Sequence, residues 1–168
     1  MTVAKIAQKA NSAALILAHL STDKKNQALN EMANALEANS ESILSANKKD
    51  LEFAEKEGVA KPLIARLTLN KEKVRGMAQG IRSVMALPDP VGIKQKSMEL
   101  DENLTLHQVS CPIGVIGAIF ESRPDAVPQI SSLCLKSGNS VILKGGREAQ
   151  NSNKVLVALL TEAIKKTS

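Results

Sequence analysis

Aromatic side chains are almost absent from this sequence. Its 168 residues include no tryptophan and no tyrosine, and the two phenylalanines, Phe53 and Phe120, are the whole aromatic complement. Any hydrophobic core must therefore be aliphatic, and the 43% share of hydrophobic residues is enough to build one in a chain of this length. The scarcity of aromatic residues also removes the stacking platforms on which proteins bind single-stranded nucleic acids.

Long apolar runs, cysteine frameworks and charge clusters are missing as well. No uninterrupted apolar stretch approaches the roughly 20 residues of a transmembrane helix, and no secretory leader is recognisable, so we expect no membrane association. The two cysteines, Cys111 and Cys134, form no disulfide framework, which favours a reducing, cytoplasmic compartment. The net charge of +5 is spread among 17 acidic residues, which argues against nucleic-acid binding.

The first part of the chain, residues 1–91, has the apolar spacing that is typical of amphipathic helices. The pattern predicts helices from Val3 to Leu17, from just after an N-cap at Ser21, from an N-cap at Ser40 to Gly58, and from Asn70 to Leu87. The two prolines of LPDPVG end the last of these helices and begin an extended turn.

The pattern changes in the next segment, residues 92–110. Two runs, IKQKSMEL and LTLHQVS, alternate or nearly alternate apolar and polar residues on either side of the turn sequence DEN at 101–103. This alternation predicts a two-stranded β-hairpin. Because an isolated hairpin is only marginally stable in water, we expect it to pair with another domain or with another subunit.

Residues 111–168 read as strand, helix, strand, helix. GVIGAIF and SVILK are short apolar runs of the kind that parallel sheets bury on both faces. Between them, PQISSLCLKSGN predicts a helix with Ile130, Leu133 and Cys134 on one face and a C-cap at Gly138, and an amphipathic helix over 155–163 follows. The order predicts an α/β fold whose sheet is the first half of a doubly wound, Rossmann-like one. Two strands are too few for such a sheet, so further strands must come either from a partner chain or from a longer protein, and we favour the longer protein.

In open parallel sheets, ligands bind where the carboxyl end of a strand leads into the next helix. The second such junction, KGGREAQ, contains Lys144, two glycines that allow close approach of a ligand (Gly145 and Gly146), and Arg147, so that a phosphate is a natural occupant. An ordinary turn with solvated cations fits the same spacing. The run matches neither the dinucleotide fingerprint nor the Walker loop.

The first junction, ESRPDAV, places Glu121 and Arg123 after the other strand. An anion-binding arginine and a plain surface charge are both compatible with this spacing. Cys134 falls on the apolar face of a predicted helix, where a packed thiol is expected, and Cys111 precedes the strand rather than following it. No histidine stands at metal-ligand spacing from either cysteine, so no metal site is predicted.

Four runs, in the same order along the chain, resemble those of one enzyme family. They are ALEANSESILSANKKDL, LPDPVG, PIGVIGAIFESRP and LCLKSGNSVILKGGREA. They resemble the N-terminal part of the gamma-glutamyl phosphate reductase family, a divergent branch of the aldehyde dehydrogenase superfamily. The resemblance implies a proline-biosynthesis reaction in which NADPH delivers hydride to a thioester formed from L-glutamyl 5-phosphate, yielding L-glutamate 5-semialdehyde. It also implies that the nucleophilic cysteine lies beyond residue 168, so this chain alone is expected to be inactive.

The same resemblance assigns roles at matching positions. It implies cofactor contacts along Lys144–Arg147 and at Phe120 and Glu121, with Lys144 on the adenosine ribose. Many NAD-dependent relatives carry an acid where this sequence has Arg147, which would attract the 2′-phosphate of NADPH. Ser122 aligns with an asparagine that many relatives use as an oxyanion donor, so its role as an oxyanion contact is a possibility that the resemblance leaves open, and Arg123 is the expected substrate contact.

The resemblance also implies a division of the chain. Residues 1–91 would be the helical segment of the cofactor domain, 92–110 an oligomerisation arm that makes the protein a homo-oligomer, and 111–168 the first part of the NADPH-binding domain. Two alternatives stay open at this point: a non-enzymatic nucleotide-binding or self-assembling module, and the reductase half of a fused kinase and reductase.

Overall fold

The computed structural model of the chain describes residues 2–167. Within this range a helical first half is followed by a β-hairpin and then by alternating strands and helices. In chain order the elements are α1 (Val3–Leu17), α2 (Thr22–Ala38), α3 (Ser40–Lys56), α4 (Lys61–Leu67), α5 (Lys71–Ala86), β1 (Lys94–Asp101), β2 (Leu104–Val109), β3 (Val115–Ile119), α6 (Ala126–Lys136), β4 (Ser140–Lys144), a 3-10 turn (Arg147–Ala149) and α7 (Gln150–Lys165).

Three of the described helices, α1, α2 and α5, begin at a residue whose side chain caps the first turn. The side chain of Ser21 accepts a hydrogen bond from the Lys24 N–H at the start of α2, and Asn70 accepts one from the Lys73 N–H at the start of α5. The hydroxyl of Thr2 caps α1 in the same way. These bonds satisfy amide groups that a helix leaves unpaired in its first turn, and so fix where each helix begins.

Two details of the helical half differ from the sequence prediction. Ser40 is the first residue of α3 rather than its N-cap; the N-cap is Asn39, whose amide donates back to the Ala35 carbonyl at 2.8 Å and makes no capping bond. α2 and α3 therefore follow one another with a single residue between them. The short helix α4 was not predicted, because its seven residues are too few to display a helical period.

The core is aliphatic, as the composition requires. Its members come from α2, α3, α5, α6 and α7 and from Leu69 just before α5, and the largest fully buried side chains among them are Leu29, Met32, Leu36, Ile43, Val74, Ile81, Val127 and Leu156. α2 lies at the centre of this packing, because it contacts α5, α6 and α7.

The buried face of α6 also differs from the prediction. Cys134 is buried there, together with Val127 and Leu135, but Leu133 is 47% exposed. Successive helical residues are about 100° apart, so a face centred on Val127 and Cys134 turns Leu133 towards the surface. Gly138 lies one residue beyond the C-cap Ser137 and has a φ of +71°, the left-handed conformation that ends helices.

β3 and β4 pair in parallel, as the strand-helix-strand order predicts. The register runs from Val115 opposite Ser140 to Ile119 opposite Lys144. α1 packs against both strands, and the Ser140 hydroxyl donates to the Ala10 carbonyl of α1 at 2.8 Å. The carboxyl ends of the two strands therefore lie side by side, with Ile119 84% exposed next to them.

β1 and β2 form the predicted antiparallel hairpin, and every residue of both strands is exposed. Met98 lies directly opposite Leu106, and Leu104 is on the same face because it stands two residues from Leu106. These three apolar side chains are between 45% and 56% exposed. The other face carries Ser97 and His107, joined by a hydrogen bond of 2.8 Å. One face of the hairpin thus carries these apolar side chains, and no other part of residues 2–167 packs over it.

A buried ion pair joins α2 to the segment that leads into the hairpin. The Lys25 ammonium is 1% exposed and lies 2.9 Å from the Asp89 carboxylate. That carboxylate also accepts hydrogen bonds from the Thr22 hydroxyl and the Val91 N–H. Burial alone would raise the pKa of Asp89, but these hydrogen bonds and the Lys25 charge outweigh it, so the pKa lies below its usual value.

Replacement of Asp89 by alanine should destabilise the fold strongly. It leaves the Lys25 ammonium buried without a counter-charge, which costs about 3–5 kcal/mol of unfolding free energy in comparable sites. Urea denaturation measures this cost. The matched control is Glu162→Ala, which removes an ion pair whose side chains are both 65% exposed and should leave the stability nearly unchanged.

The same pair predicts a pH dependence. Because the pKa of Asp89 is lower in the folded chain, its stabilisation is present above the unfolded value of about 3.9 and is lost as the pH falls through the folded value. Between pH 5 and the lowest pH at which both chains are still folded, the free energy of unfolding of the natural chain should therefore fall more than that of Asp89→Ala. Parallel loss in both chains would contradict this role for Asp89.

Candidate functional site

The two strand-to-helix junctions meet at one edge of the β3–β4 sheet. The Phe120 N–H donates to the Lys144 carbonyl at 3.1 Å and extends the parallel pairing by one residue beyond Ile119. The loop after β3 and the loop after β4 consequently start from adjacent points. The structure therefore brings the starts of the two loops together, at Phe120 and Lys144.

A hydrogen-bonded carboxylate links these two loops. Glu148, in the 3-10 turn after β4, accepts hydrogen bonds from the Ser122 backbone N–H at 2.6 Å and from the Ser122 hydroxyl at 3.1 Å. Ser122 is 1% exposed and has a φ of +49°, a left-handed conformation that is uncommon for a residue other than glycine. Any contact of the Ser122 hydroxyl with a substrate oxyanion would require this bond to Glu148 to break. Sequence reasoning missed Glu148, which no local pattern distinguishes from a surface acid.

Gly145 and Gly146 lie in close contact with side chains of the same chain. A Cβ at Gly145 would overlap the Asn153 amide and lie 3.2 Å from the Phe120 ring, and a Cβ at Gly146 would overlap the Glu148 carboxylate. The pair thus forms a backbone surface without side chains between Lys144 and Arg147. The Asn153 Oδ1 atom behind Gly145 is buried and has no hydrogen-bond partner within the described chain.

The N-terminus of α7 is occupied by a protein carboxylate. Asp50 of α3 is 1% exposed and accepts hydrogen bonds from the backbone N–H groups of Asn151 and Ser152, at 2.9 and 2.7 Å, and from the Asn151 amide. Asn47, one turn earlier in α3, donates to the Ser152 hydroxyl at 3.1 Å. The amides that would receive a phosphate at the helix start are therefore already satisfied. Asn47 and Asp50 stand on the apolar face of α3, a signal by which sequence reasoning would have found them.

A groove of about 660 Å³ lies over the glycine pair. Its walls are Asp50, Phe53, Lys144, Gly145, Gly146, Arg147, Gln150 and Asn151. The side chains of Lys144 and Arg147 are exposed and make no hydrogen bond or ion pair with residues 2–167. Arg147 lies in the 3-10 turn that precedes α7 rather than in the helix itself. These two cations are consequently available to an anion that enters the groove.

Arg123 belongs to a different groove, between α5 and α6. This groove measures about 610 Å³ and places Arg123 near two further cations, Arg66 and Lys73. Arg123 pairs with Asp125 at 2.8 Å, and the Lys73 ammonium donates to the Thr68 carbonyl. The groove floor is mainly apolar, with Leu69, Met77, Ile81, Val84 and Leu133. The exposed Leu133 is thus part of this groove.

Neither cysteine is placed to act as a nucleophile at the strand ends. Cys134 is 4% exposed in α6, and burial raises the pKa of its thiol. Cys111 is exposed but precedes β3, at the end of the strand opposite the two junctions. Residues 2–167 contain no group of three or more His, Cys, Asp or Glu side chains that could hold a metal ion. No helix in the same range is long and apolar enough to cross a bilayer.

Comparison with individual known proteins gives matches that share one name, although the comparison with family models gives none. The gamma-glutamyl phosphate reductase of Ruminiclostridium cellulolyticum is 50% identical over 163 residues, which are 97% of this chain and 38% of that protein. The enzyme of the same name from Methanosarcina mazei is 52% identical and is matched over 36% of its length. The chain therefore spans little more than a third of the curated relatives it matches.

Solved structures agree in fold. The gamma-glutamyl phosphate reductase of Thermotoga maritima superimposes with a TM-score of 0.92 at 39% identity, over 95% of this chain and 39% of that one. A probable aldehyde dehydrogenase from Listeria monocytogenes superimposes with a TM-score of 0.70 at 17% identity, over 96% of this chain. The predicted α/β fold, with helices first and a small sheet of the aldehyde dehydrogenase type, is confirmed.

Removal of the Glu148 carboxylate should break the hydrogen bonds between the two loops and lower the stability of the chain. Glu148→Ala leaves the buried Ser122 N–H without an acceptor, which costs about 1–3 kcal/mol of unfolding free energy. Glu148→Gln keeps one carbonyl oxygen and should cost less. Glu121→Ala, one residue before Ser122 and exposed, serves as the control that should be nearly neutral in urea denaturation. Equal stability of all three variants would contradict the link.

Proposed function

Because this chain is homologous to gamma-glutamyl phosphate reductases over nearly all of its length, we propose that it is the N-terminal, cofactor-side part of such an enzyme. The whole protein would reduce L-glutamyl 5-phosphate to L-glutamate 5-semialdehyde with NADPH, a step of proline biosynthesis in the cytoplasm. One observation carries the assignment to this chain's residues: two unpaired cations flank a side-chain-free backbone surface at the carboxyl end of a parallel strand.

The residues present fit the adenosine end of NADPH. Lys144 at the strand end would bind the ribose hydroxyls, and Arg147 would bind the 2′-phosphate, since a guanidinium forms charge-assisted, bidentate hydrogen bonds with phosphate oxygens. Gly145 and Gly146 let the ligand approach the backbone between them. Phe120 supports this surface from below through its contact with Gly145, and Glu121 extends it along the first loop. The bound cofactor supplies the hydride; this chain holds and orients it.

The substrate contact is proposed for the second groove. L-glutamyl 5-phosphate carries negative charge at both ends, and Arg123 shares its groove with Arg66 and Lys73. Three cations over an apolar floor suit a short anionic substrate with an aliphatic middle. Arg123 would reach the substrate by exchanging its exposed partner Asp125 for a substrate oxygen, which costs little because exposed ion pairs are weak.

This chain should have no reductase activity by itself. The proposed reaction needs a thiolate nucleophile, and neither cysteine of the chain is suitably placed, Cys134 because it is buried and Cys111 because it lies at the wrong end of β3. We assign residues 1–91 and 111–168 to the cofactor domain and residues 92–110 to an arm between subunits. The catalytic cysteine would lie in the part of the relatives that this chain does not match.

The hairpin is proposed to make the protein a homo-oligomer. Its apolar face, with Met98, Leu104 and Leu106, is exposed in the single chain, and β-hairpins of this kind need a partner surface to be stable. The same observation favours a second candidate function, a self-assembling module without catalysis. Cofactor binding separates the two candidates, because self-assembly does not require it.

Arg147→Glu should change the specificity of nucleotide binding. We expect the natural chain to bind adenosine 2′,5′-bisphosphate more tightly than AMP, and the variant to lose roughly 10- to 100-fold for the bisphosphate with little change for AMP. Isothermal titration calorimetry measures both affinities. Lys154→Glu, an equal charge reversal on an exposed residue of α7 outside the groove, is the control. Equal losses for both ligands would refute the 2′-phosphate role, and a natural chain that binds neither would refute the cofactor site.

Charges on the apolar face of the hairpin should prevent association. Met98→Lys with Leu106→Lys places two cations opposite each other on that face, so we expect the variant to be monomeric where the natural chain is a dimer or larger. Analytical ultracentrifugation at several concentrations measures the state. Thr105→Lys, on the other face, should leave association intact. A monomeric natural chain at high micromolar concentration would contradict the proposal.

A further inference from the structure

The two aromatic residues of the chain lie beside the same loop. Phe120 packs against Gly145, and Phe53 of α3 forms a wall of the groove above it. In a sequence with no other aromatic side chain, this placement is not explained by core packing, because Phe53 is 41% exposed. We propose that the ring of Phe53 is the adenine-binding wall of the groove, an assignment that rests on the proposed cofactor site.

The position of Phe53 follows from the cap of α7. Phe53 stands three residues after Asp50, so the two side chains leave α3 on the same side, one turn apart. Asp50 is fixed at the first amides of α7 by hydrogen bonds of 2.7 to 2.9 Å. The contact that holds α3 against α7 therefore also holds the Phe53 ring next to Lys144 and Arg147.

The chemistry of the groove suits a phosphorylated adenosine. The ring of Phe53 offers a stacking surface for a purine, and Gln150 offers an amide group in the same groove. Lys144 and Arg147 supply positive charge for the ribose phosphate. Asp50 also lines the groove, but its oxygens accept three hydrogen bonds at a helix N-terminus, so its charge is compensated locally. The groove thus has a surface suited to each part of the ligand: Phe53 for the base, and Lys144 and Arg147 for the ribose and its phosphate.

The lack of tryptophan and tyrosine allows a direct test. Phe53→Trp would carry the only indole of the chain, so its fluorescence reports the groove without background. We expect adenosine 2′,5′-bisphosphate to quench this fluorescence in a saturable way, with a Kd within a few-fold of the calorimetric value for the natural chain. The matched control is Val157→Trp, since Val157 is also 41% exposed but lines a different groove and should give no response.

A second variant measures the contribution of the ring. Phe53→Ala should weaken binding of adenosine 2′,5′-bisphosphate by roughly 5- to 50-fold, as expected for the loss of one base-stacking contact. Circular dichroism checks that each variant is folded. If Phe53→Ala does not fold, the role of Phe53 is judged from the fluorescence responses of Phe53→Trp and Val157→Trp alone.

The outcomes separate this inference from the proposed function. Binding by the natural chain, with no quenching in Phe53→Trp and no loss in Phe53→Ala, would overturn the role of Phe53 and leave the cofactor site intact. No binding by the natural chain would overturn both. Quenching in Phe53→Trp together with a loss of affinity in Phe53→Ala would support the adenine wall.

Discussion

The buried carboxylate of Asp50 joins the two parts of the chain on which the site depends. It comes from the helical first half and accepts the first amides of α7 in the second half, across about a hundred residues of sequence. A buried charge is tolerable only when its oxygens are hydrogen-bonded, and here backbone and side-chain N–H groups satisfy them. The packing of α3 on α7, the start of α7 and the direction of the preceding loop all follow from this contact.

The loop after β4 is consequently held from several sides. Asp50 fixes its exit into α7, the strand pairing fixes its start at Lys144, and Glu148 ties its middle to Ser122 of the neighbouring loop. Between these anchors the glycine pair presents bare backbone. A loop held in this way loses little conformational freedom when a ligand binds, which favours affinity. The cations at its two ends are the parts that stay free to move.

Periodicity was sufficient to predict every element except the short helix α4 and the 3-10 turn, but not the contacts between them. The apolar spacing over residues 70–87 predicted α5, and two apolar runs predicted the parallel strands, because these patterns are local. The hydrogen bonds of Glu148 and Asp50 escaped prediction because their partners lie 26 and about 100 residues away in sequence, although the place of Asp50 on the apolar face of α3 is itself a local signal. Leu133 was placed on the same face as Cys134 because the apolar stripe of α6 is wider than the part that packs in the core. The rest of the stripe, with Leu133, lines the groove between α5 and α6.

The base of the hairpin has a mechanical consequence. The Ser110 hydroxyl donates to the Pro90 carbonyl, and Gly92 and Ser110 close the base through backbone hydrogen bonds, next to the buried pair of Lys25 and Asp89. The eight residues of β1 extend about 27 Å from this point, at roughly 3.4 Å per residue. A rotation of about 5° at the base would displace the tip by about 2 Å, so the packing around the ion pair determines where the hairpin tip lies.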